Sequence, residues 1–251
     1  MSASGPFRAL VLLELALTVP TFVALRRISA PYGRHNRSGW GPTVAAPVGW
    51  LVMELPAAVV FAAVFAAGTH RAEPVPLALL GFWETHYVYR AFVYPLLLRR
   101  GARVPLVLVM LAIAFNTLNA WINARWVATL GHYPPSWFTD PRFLAGIVLF
   151  GAGFVLHITS DRALRRLRGT GETGYRIPRG GAFEWVSCPN YLGEIVEWTG
   201  WALATWSPAG LAFALFTIAN LAPRALSHHA WYRDQFPNYP SRRRALIPGV
   251  V

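Results

Sequence analysis

Pro47-Val-Gly-Trp-Leu-Val-Met-Glu-Leu-Pro-Ala-Ala-Val-Val-Phe-Ala-Ala-Val-Phe-Ala-Ala67 decides the fold. Glu54 is its one charge, and every other residue is apolar or small. The run is too long for an ordinary strand, and an α-helix needs roughly 20 apolar residues to cross the hydrocarbon core of a bilayer. Pro56 should bend that helix close to Glu54. Further runs of the same kind lie near 7–25, 77–97, 105–130, 143–160, 190–206 and 209–227, which with 43–67 predicts seven spans. The 251 residues are 55% hydrophobic and 14% charged. Soluble domains carry about 25% charged residues, so most of this surface meets lipid. The first run has no small-residue cleavage site after it and reads as a retained helix, not a signal peptide. No linker or repeat divides the chain, and no alternating strand pattern stands out. The fold class is therefore an all-α, polytopic integral membrane protein, one membrane-embedded domain over 1–251.

The charges set its orientation. All 23 basic residues are arginine, the formal net charge is +12, and most arginines follow spans one, three, five and seven. They include Arg26, Arg27, Arg34 and Arg37, then Arg99, Arg100 and Arg103. The later groups are Arg162, Arg165, Arg166, Arg168, Arg176 and Arg179, and Arg224, Arg233, Arg242, Arg243 and Arg244. By the positive-inside rule these segments are cytoplasmic, with the N-terminus outside and the C-terminus inside. The same distribution argues against nucleic acid as the partner, since the arginines sit at span ends and not on one phosphate-binding face. Arginine without lysine suits a GC-rich bacterial genome, so a bacterial inner membrane is the expected location. The single cysteine, Cys188, excludes a disulfide framework and any cysteine-based metal cluster.

Polar residues recur inside these apolar runs. Tyr87, Arg90 and Tyr94 share one helical face, as do Asn116, Asn119 and Asn123. Asn190, Glu194, Glu197 and Trp201 line one side of span six, and Arg224 and His228 follow at i+4 in span seven. One such stripe is explained by interhelical hydrogen bonds. Several in one small protein point to a shared polar cavity, because an ionisable group in a bilayer is costly and marks a site by default. Glu14 stands alone on its span and reads as structural or interfacial.

Gly169-Thr-Gly-Glu-Thr-Gly174 spells the dinucleotide fingerprint but follows a basic helix end and no strand, so it is a loop. The arginines beside it, Arg165 and Arg168, could still grip phosphates in forked pairs. His228 and His229 are adjacent, point about 100° apart on a helix and cannot readily share one metal. No metal site is expected.

At several of these residues the chain resembles the steroid 5-alpha-reductase family (3-oxo-5-alpha-steroid 4-dehydrogenases). The likeness spans roughly residues 45–250. It is carried by Glu54-Leu-Pro56, His86-Tyr87 through Tyr94, Trp137-Phe-Thr-Asp140, Ser160-Asp161, Tyr175-Arg-Ile-Pro178, Asn190-Tyr-Leu-Gly-Glu-Ile-Val-Glu-Trp198 and Ala245-Leu-Ile-Pro248. The resemblance implies a seven-helix bundle holding NADPH at its cytoplasmic side. It implies that Glu54 and Tyr87 hydrogen-bond the 3-oxo group of a steroid or steroid-like lipid. For NADPH it implies Asn119, Asp161, Arg168, Tyr175, Asn190, Glu194, Arg224, His228, Tyr232 and Arg243, with His157 standing where the family has asparagine. Met53 also departs, where the family often has glutamine before the catalytic glutamate.

The implied chemistry suits the residues. Hydride addition to the β-carbon of an enone builds charge on the carbonyl oxygen, and donors aimed there lower the barrier. Tyr87 can donate directly. Glu54 can donate only when protonated, a form that apolar surroundings would favour. Related lipid reductases acting on a sterol nucleus, a polyprenol or an enoyl thioester remain alternatives, as do membrane methyltransferases of the isoprenylcysteine or phospholipid type.

Overall fold

The computed structural model describes residues 4–98, 101–167 and 174–251. Among them are seven α-helices: α1 Ser4–Arg27, α2 Ala46–Ala66, α3 Pro74–Val88, α4 Leu106–Arg125, α5 Pro141–Arg166, α6 Pro189–Thr205 and α7 Pro208–Gln235. Proline stands in the first turn of α2, α3, α5, α6 and α7. There its missing N–H costs no hydrogen bond and its fixed φ is already helical. Side-chain caps complete two of these starts. The Asp140 carboxylate accepts from the Arg142 backbone N–H (2.8 Å) and Ser207 Oγ from that of Gly210 (2.8 Å). The Arg142 guanidinium also forks onto Asp140 at 2.9 and 2.8 Å, and this pairing holds the Asp140 carboxyl down at about 2.

Helices α1, α2, α5 and α7, and α4 prolonged to Leu130, are long and apolar enough to cross a membrane. Their outward faces carry Leu12, Val19, Leu111, Val148 and Val155, each more than half exposed. Apolar surface of that extent needs a cover other than water. α3 and α6 have only 15 and 17 residues. α3 continues as a π turn, Tyr89–Val93, and a 3-10 turn, Tyr94–Leu97.

Two expectations need correction. α5 and α7 run past the predicted ends at 160 and 227, so Asp161 is helical and not the head of a loop. The chain also has strands: β1 Thr43–Ala45 pairs antiparallel with β2 Arg103–Pro105, ahead of α2 and α4. Three residues per strand are too few to show an alternation. Arg168 and the fingerprint-like loop up to residue 173 lie outside the described residues.

The contact that positions the site is between α5 and α6. A Cβ added at Gly153 would lie 2.3 Å from the Glu197 backbone N, and one at Gly193 would lie 2.5 Å from that of His157. Gly146 and Gly200 make equally close approaches one heptad away, to Ala204 and Phe150. Small residues let membrane helices touch backbone to backbone, and here they put His157 of α5 against Glu194 and Glu197 of α6. Elsewhere the core is aromatic: Trp83, Trp198, Trp201, Phe61 and Phe213 are buried in one cluster. α1 packs through Phe7 and Val11 onto Ile122, Ala209 and Ala212. The C-terminal tail returns to the segment before α6, where Val186 and Arg244 form a parallel bridge and Ala245 O accepts from the Cys188 N–H (3.1 Å).

Candidate functional site

The predicted residues gather in two places, with one outlier. The inner cluster starts at Glu54 on α2. Arg90, in the π turn after α3, donates to Glu54 Oε1 (3.1 Å) and lies 3.9 Å from Glu194 Oε1. Its guanidinium is held between the rings of Trp50 (4.6 Å) and Tyr94 (4.8 Å). Arg90 and Tyr94 are four residues apart and meet on one face of the chain there, and the π turn, with its extra residue, keeps that pairing. From Glu194 the cluster continues through His157, whose Nε2 is 3.2 Å from Glu194 Oε1 and 3.4 Å from Asp161 Oδ2. Asn190 donates to Asp161 Oδ1 (3.0 Å). On its other side His157 Nδ1 faces Glu197 Oε2 at 3.7 Å, and Glu197 Oε1 pairs with His86 Nδ1 at 2.7 Å.

Tyr87 is buried against Trp83 and Trp198, within electrostatic reach of Glu54, Glu194 and Arg90. The apolar surroundings expected for Glu54 are not what the structure shows. Arg90 donates to one carboxylate oxygen and Asn116 Nδ2 approaches the other at 3.3 Å, while Asn116 gives its short bond (2.6 Å) to Met53 O. The Met53 side chain packs with Val104 and Val109, away from that polar contact.

His86, His157 and Glu197 present ligand atoms within 4.8 Å of one another. The imidazole–carboxylate contacts account for that spacing, since Glu197 already holds His86 at hydrogen-bond distance. The adjacent histidines of α7 diverge as their helical angle requires: His228 meets His35 and Tyr191, and His229 meets Ser187.

The outer cluster lies at the ends of α1, α6 and α7. Arg224 donates to the Tyr191 hydroxyl (3.2 Å) and sits between the rings of Tyr32 and Tyr191. His228 pairs Nδ1 with His35 Nε2 (3.0 Å) and Nε2 with the Tyr191 hydroxyl (3.1 Å). Tyr232 stacks on Tyr239 (5.2 Å), and Tyr175 meets Trp231 edge-on. Arg243 is buried, donates from Nη1 to Pro178 O (3.1 Å), and leaves Nε and Nη2 without a hydrogen-bond partner.

Asn119 is the outlier. Its Oδ1 accepts from Asn123 (2.8 Å), whose own Oδ1 accepts from Trp201 (2.8 Å), and its Nδ2 is buried without a partner. Among the described residues the polar stripes thus form one connected inner network, one outer group and this asparagine pair, and Tyr191 of the outer group lies within electrostatic reach of Glu194 of the inner one. The sequence places Arg90 and Glu197 on polar faces without assigning them a partner, and Arg34 only among the span-end arginines. His35 gives no signal, because a histidine in a polar loop reaches a site only through tertiary folding.

Buried donors without acceptors, at Arg243 and Asn119, fit an absent anionic and polar group better than an empty protein interior, because an unmade buried hydrogen bond costs about 1–3 kcal/mol. A dinucleotide phosphate cofactor has the required acceptors.

The chain has close relatives among known proteins. The family profile described as 3-oxo-5-alpha-steroid 4-dehydrogenase matches residues 102–251. Steroid 5-alpha-reductase DET2 of Arabidopsis thaliana is 45% identical over 97% of this chain and 96% of its own length. 3-oxo-5-alpha-steroid 4-dehydrogenase 1 of Bos taurus is 44% identical over 97% and 96%, and that of Homo sapiens 41% identical over 96% and 93%.

Proposed function

The chain belongs to the 3-oxo-5-alpha-steroid 4-dehydrogenase family, oxidoreductases acting on CH–CH donors, and from that premise we propose that it reduces the Δ4 C=C bond of a 3-oxo-Δ4 steroid with NADPH. The observation that carries the proposal is the meeting of Glu54, Arg90 and Glu194 inside a lipid-facing bundle. It joins the residue implied for the ketone directly to a residue implied for the cofactor. All seven helices cross the membrane in this reading, with the outer cluster at the cytoplasmic face, where the arginine-rich helix ends lie.

NADPH, when bound, supplies a hydride for C5 of the steroid. Asp161, Asn190, Glu194 and His157 would hold its inner end, and Arg224, His228, Tyr232, Tyr175 and Arg243 its outer end, with Arg168 and Asn119 as further contacts. Glu54 and Tyr87 polarise the 3-oxo group, where negative charge grows as the hydride adds, and C4 of the resulting enolate takes a proton from solvent to complete the reduction. Tyr87 donates its hydroxyl hydrogen. Glu54 keeps Oε1 on Arg90 and leaves Oε2, the oxygen that Asn116 holds only loosely, for the ketone. Arg90 fixes that division of labour, since its fork occupies one carboxyl oxygen and orients the other. The aromatic cluster around Tyr87 excludes water, which strengthens each of these bonds.

The test is direct. Purified protein given NADPH and progesterone or testosterone should yield a product two hydrogens heavier, with loss of nicotinamide absorbance. Neither product nor cofactor oxidation with any 3-oxo-Δ4 steroid would sink the proposal.

A further inference from the structure

Arg34 belongs to no role so far described. It lies in the short 3-10 turn Gly33–His35 between α1 and β1, where Gly33 takes φ +60, a left-handed conformation that glycine adopts without strain. The turn directs the arginine inward. Its guanidinium stands 4.4 Å from the Tyr232 ring centroid, 5.0 Å from Trp231 and 5.7 Å from Tyr175. Next to it, His35 stacks on His228 at 4.9 Å and shares a ring-nitrogen contact with it. The segment is therefore docked among residues assigned above to the cofactor.

What the docking lacks is an anion. Ring faces attract a guanidinium, but they do not satisfy its N–H groups, and Arg34 Nη1 is buried without a hydrogen-bond partner. Among the described residues no carboxylate forms an ion pair with Arg34, Arg224 or Arg243. Burial first, and then the nearby Arg34 and Arg37, push the His35 imidazole below its ordinary range, so the local field is positive. Arg34 and Arg224 both lie within electrostatic reach of His228, and among the described residues neither has an ion-paired acid, whereas Arg90 has two. A planar fork with open N–H groups in a positive field is a phosphate-binding geometry.

We propose that Arg34 is a phosphate ligand of the dinucleotide cofactor. The assignment rests on the NADPH reading above, and the experiment separates the two. Binding of NADPH and of NADH is measured by calorimetry, without steroid, on the parent protein and on Arg34→Ala and Arg34→Lys. Arg34→Ala should bind NADPH roughly 10- to 100-fold more weakly, the scale of a lost hydrogen bond to a charged group. Arg34→Lys should fall between, keeping the charge and losing the fork. A loss confined to NADPH places Arg34 on the 2′-phosphate, and a loss shared by NADH places it on the pyrophosphate; either supports the assignment. The cofactor-free melting temperature of Arg34→Ala should match the parent, while its rise on adding NADPH should be smaller. If Arg34→Ala does not fold, Arg34→Lys decides. Parent-like affinity for both dinucleotides in whichever variant decides overturns the assignment. A parent protein that binds neither dinucleotide overturns the NADPH reading, and the assignment with it.

Discussion

Arg90 and Arg224 make an instructive pair. Each is held between two aromatic rings inside the bundle, Trp50 and Tyr94 for the first, Tyr32 and Tyr191 for the second. Arg90 has Glu54 and Glu194 within 4 Å, whereas Arg224 has a tyrosine hydroxyl and an asparagine oxygen. The inner cluster therefore sets acids around its guanidinium, as suits a clamp for a neutral ketone. The outer cluster is left positive, as suits a receptor for phosphates. Buried charge is costly unless paired, and among the described residues only the inner guanidinium has carboxylate partners.

Removing that guanidinium should have the largest effect. Arg90→Met leaves Glu54 and Glu194 without their shared cation, and breaking a buried pair in this way costs about 3–5 kcal/mol. A large fall in the melting temperature of the detergent-solubilised protein is expected, and a parent-like melt would mean that Arg90 does not hold the two carboxylates in place. Next come the clamp donors. Glu54→Ala and Tyr87→Phe should each lower turnover on the order of 10²–10³-fold while still binding NADPH. Glu54→Gln should retain more activity than Glu54→Ala, because an amide keeps a donor. Turnover near the parent level in both Glu54→Ala and Tyr87→Phe would return these residues to helix packing.

A third, smaller effect tests how the inner cluster is assembled. Gly153→Ala forces a methyl into the Glu197 backbone, and overpacking of this kind costs about 1–3 kcal/mol. It should also raise the KM for NADPH by moving His157 from Glu194. Unchanged stability and KM would show that the α5–α6 contact is slack. The smallest stability change is expected at Arg224→Met, less than about 1 kcal/mol in the cofactor-free protein, because no carboxylate is orphaned. Its NADPH affinity should nevertheless drop, and a fall in cofactor-free stability rivalling that of Arg90→Met would erase the contrast between the two regions.

The helices are legible in the sequence because their signal is local: apolar runs of bilayer length, each opened by proline or a capping residue. Residues within one helix, such as Asn190 and Glu194, can likewise be placed on a face by counting. Partners across helices cannot. Nothing in the sequence joins His86 to Glu197, or His35 to His228, since these contacts depend on how α3 lies against α6 and where the first loop lands. The surroundings of Glu54 are misread from the sequence for the same reason: its neighbours along α2 are apolar, but its neighbours in space are Arg90 and Asn116. The strands β1 and β2 leave too short a trace to recognise.

The π turn at Tyr89–Val93 has a consequence for inheritance. A regular α-helix advances about 100° per residue, so deleting one residue from it swings everything downstream by that angle. A π turn holds one residue more for about the same rotation, so losing one codon among those for Ala91, Phe92 and Val93 can be taken up by closing the turn to a regular one. Tyr94 would then stand three residues from Arg90 and not four, still a neighbouring position on the helix. In this stretch the reading-frame-preserving loss of a single residue is thus a milder mutation than the same loss in the regular helices around it.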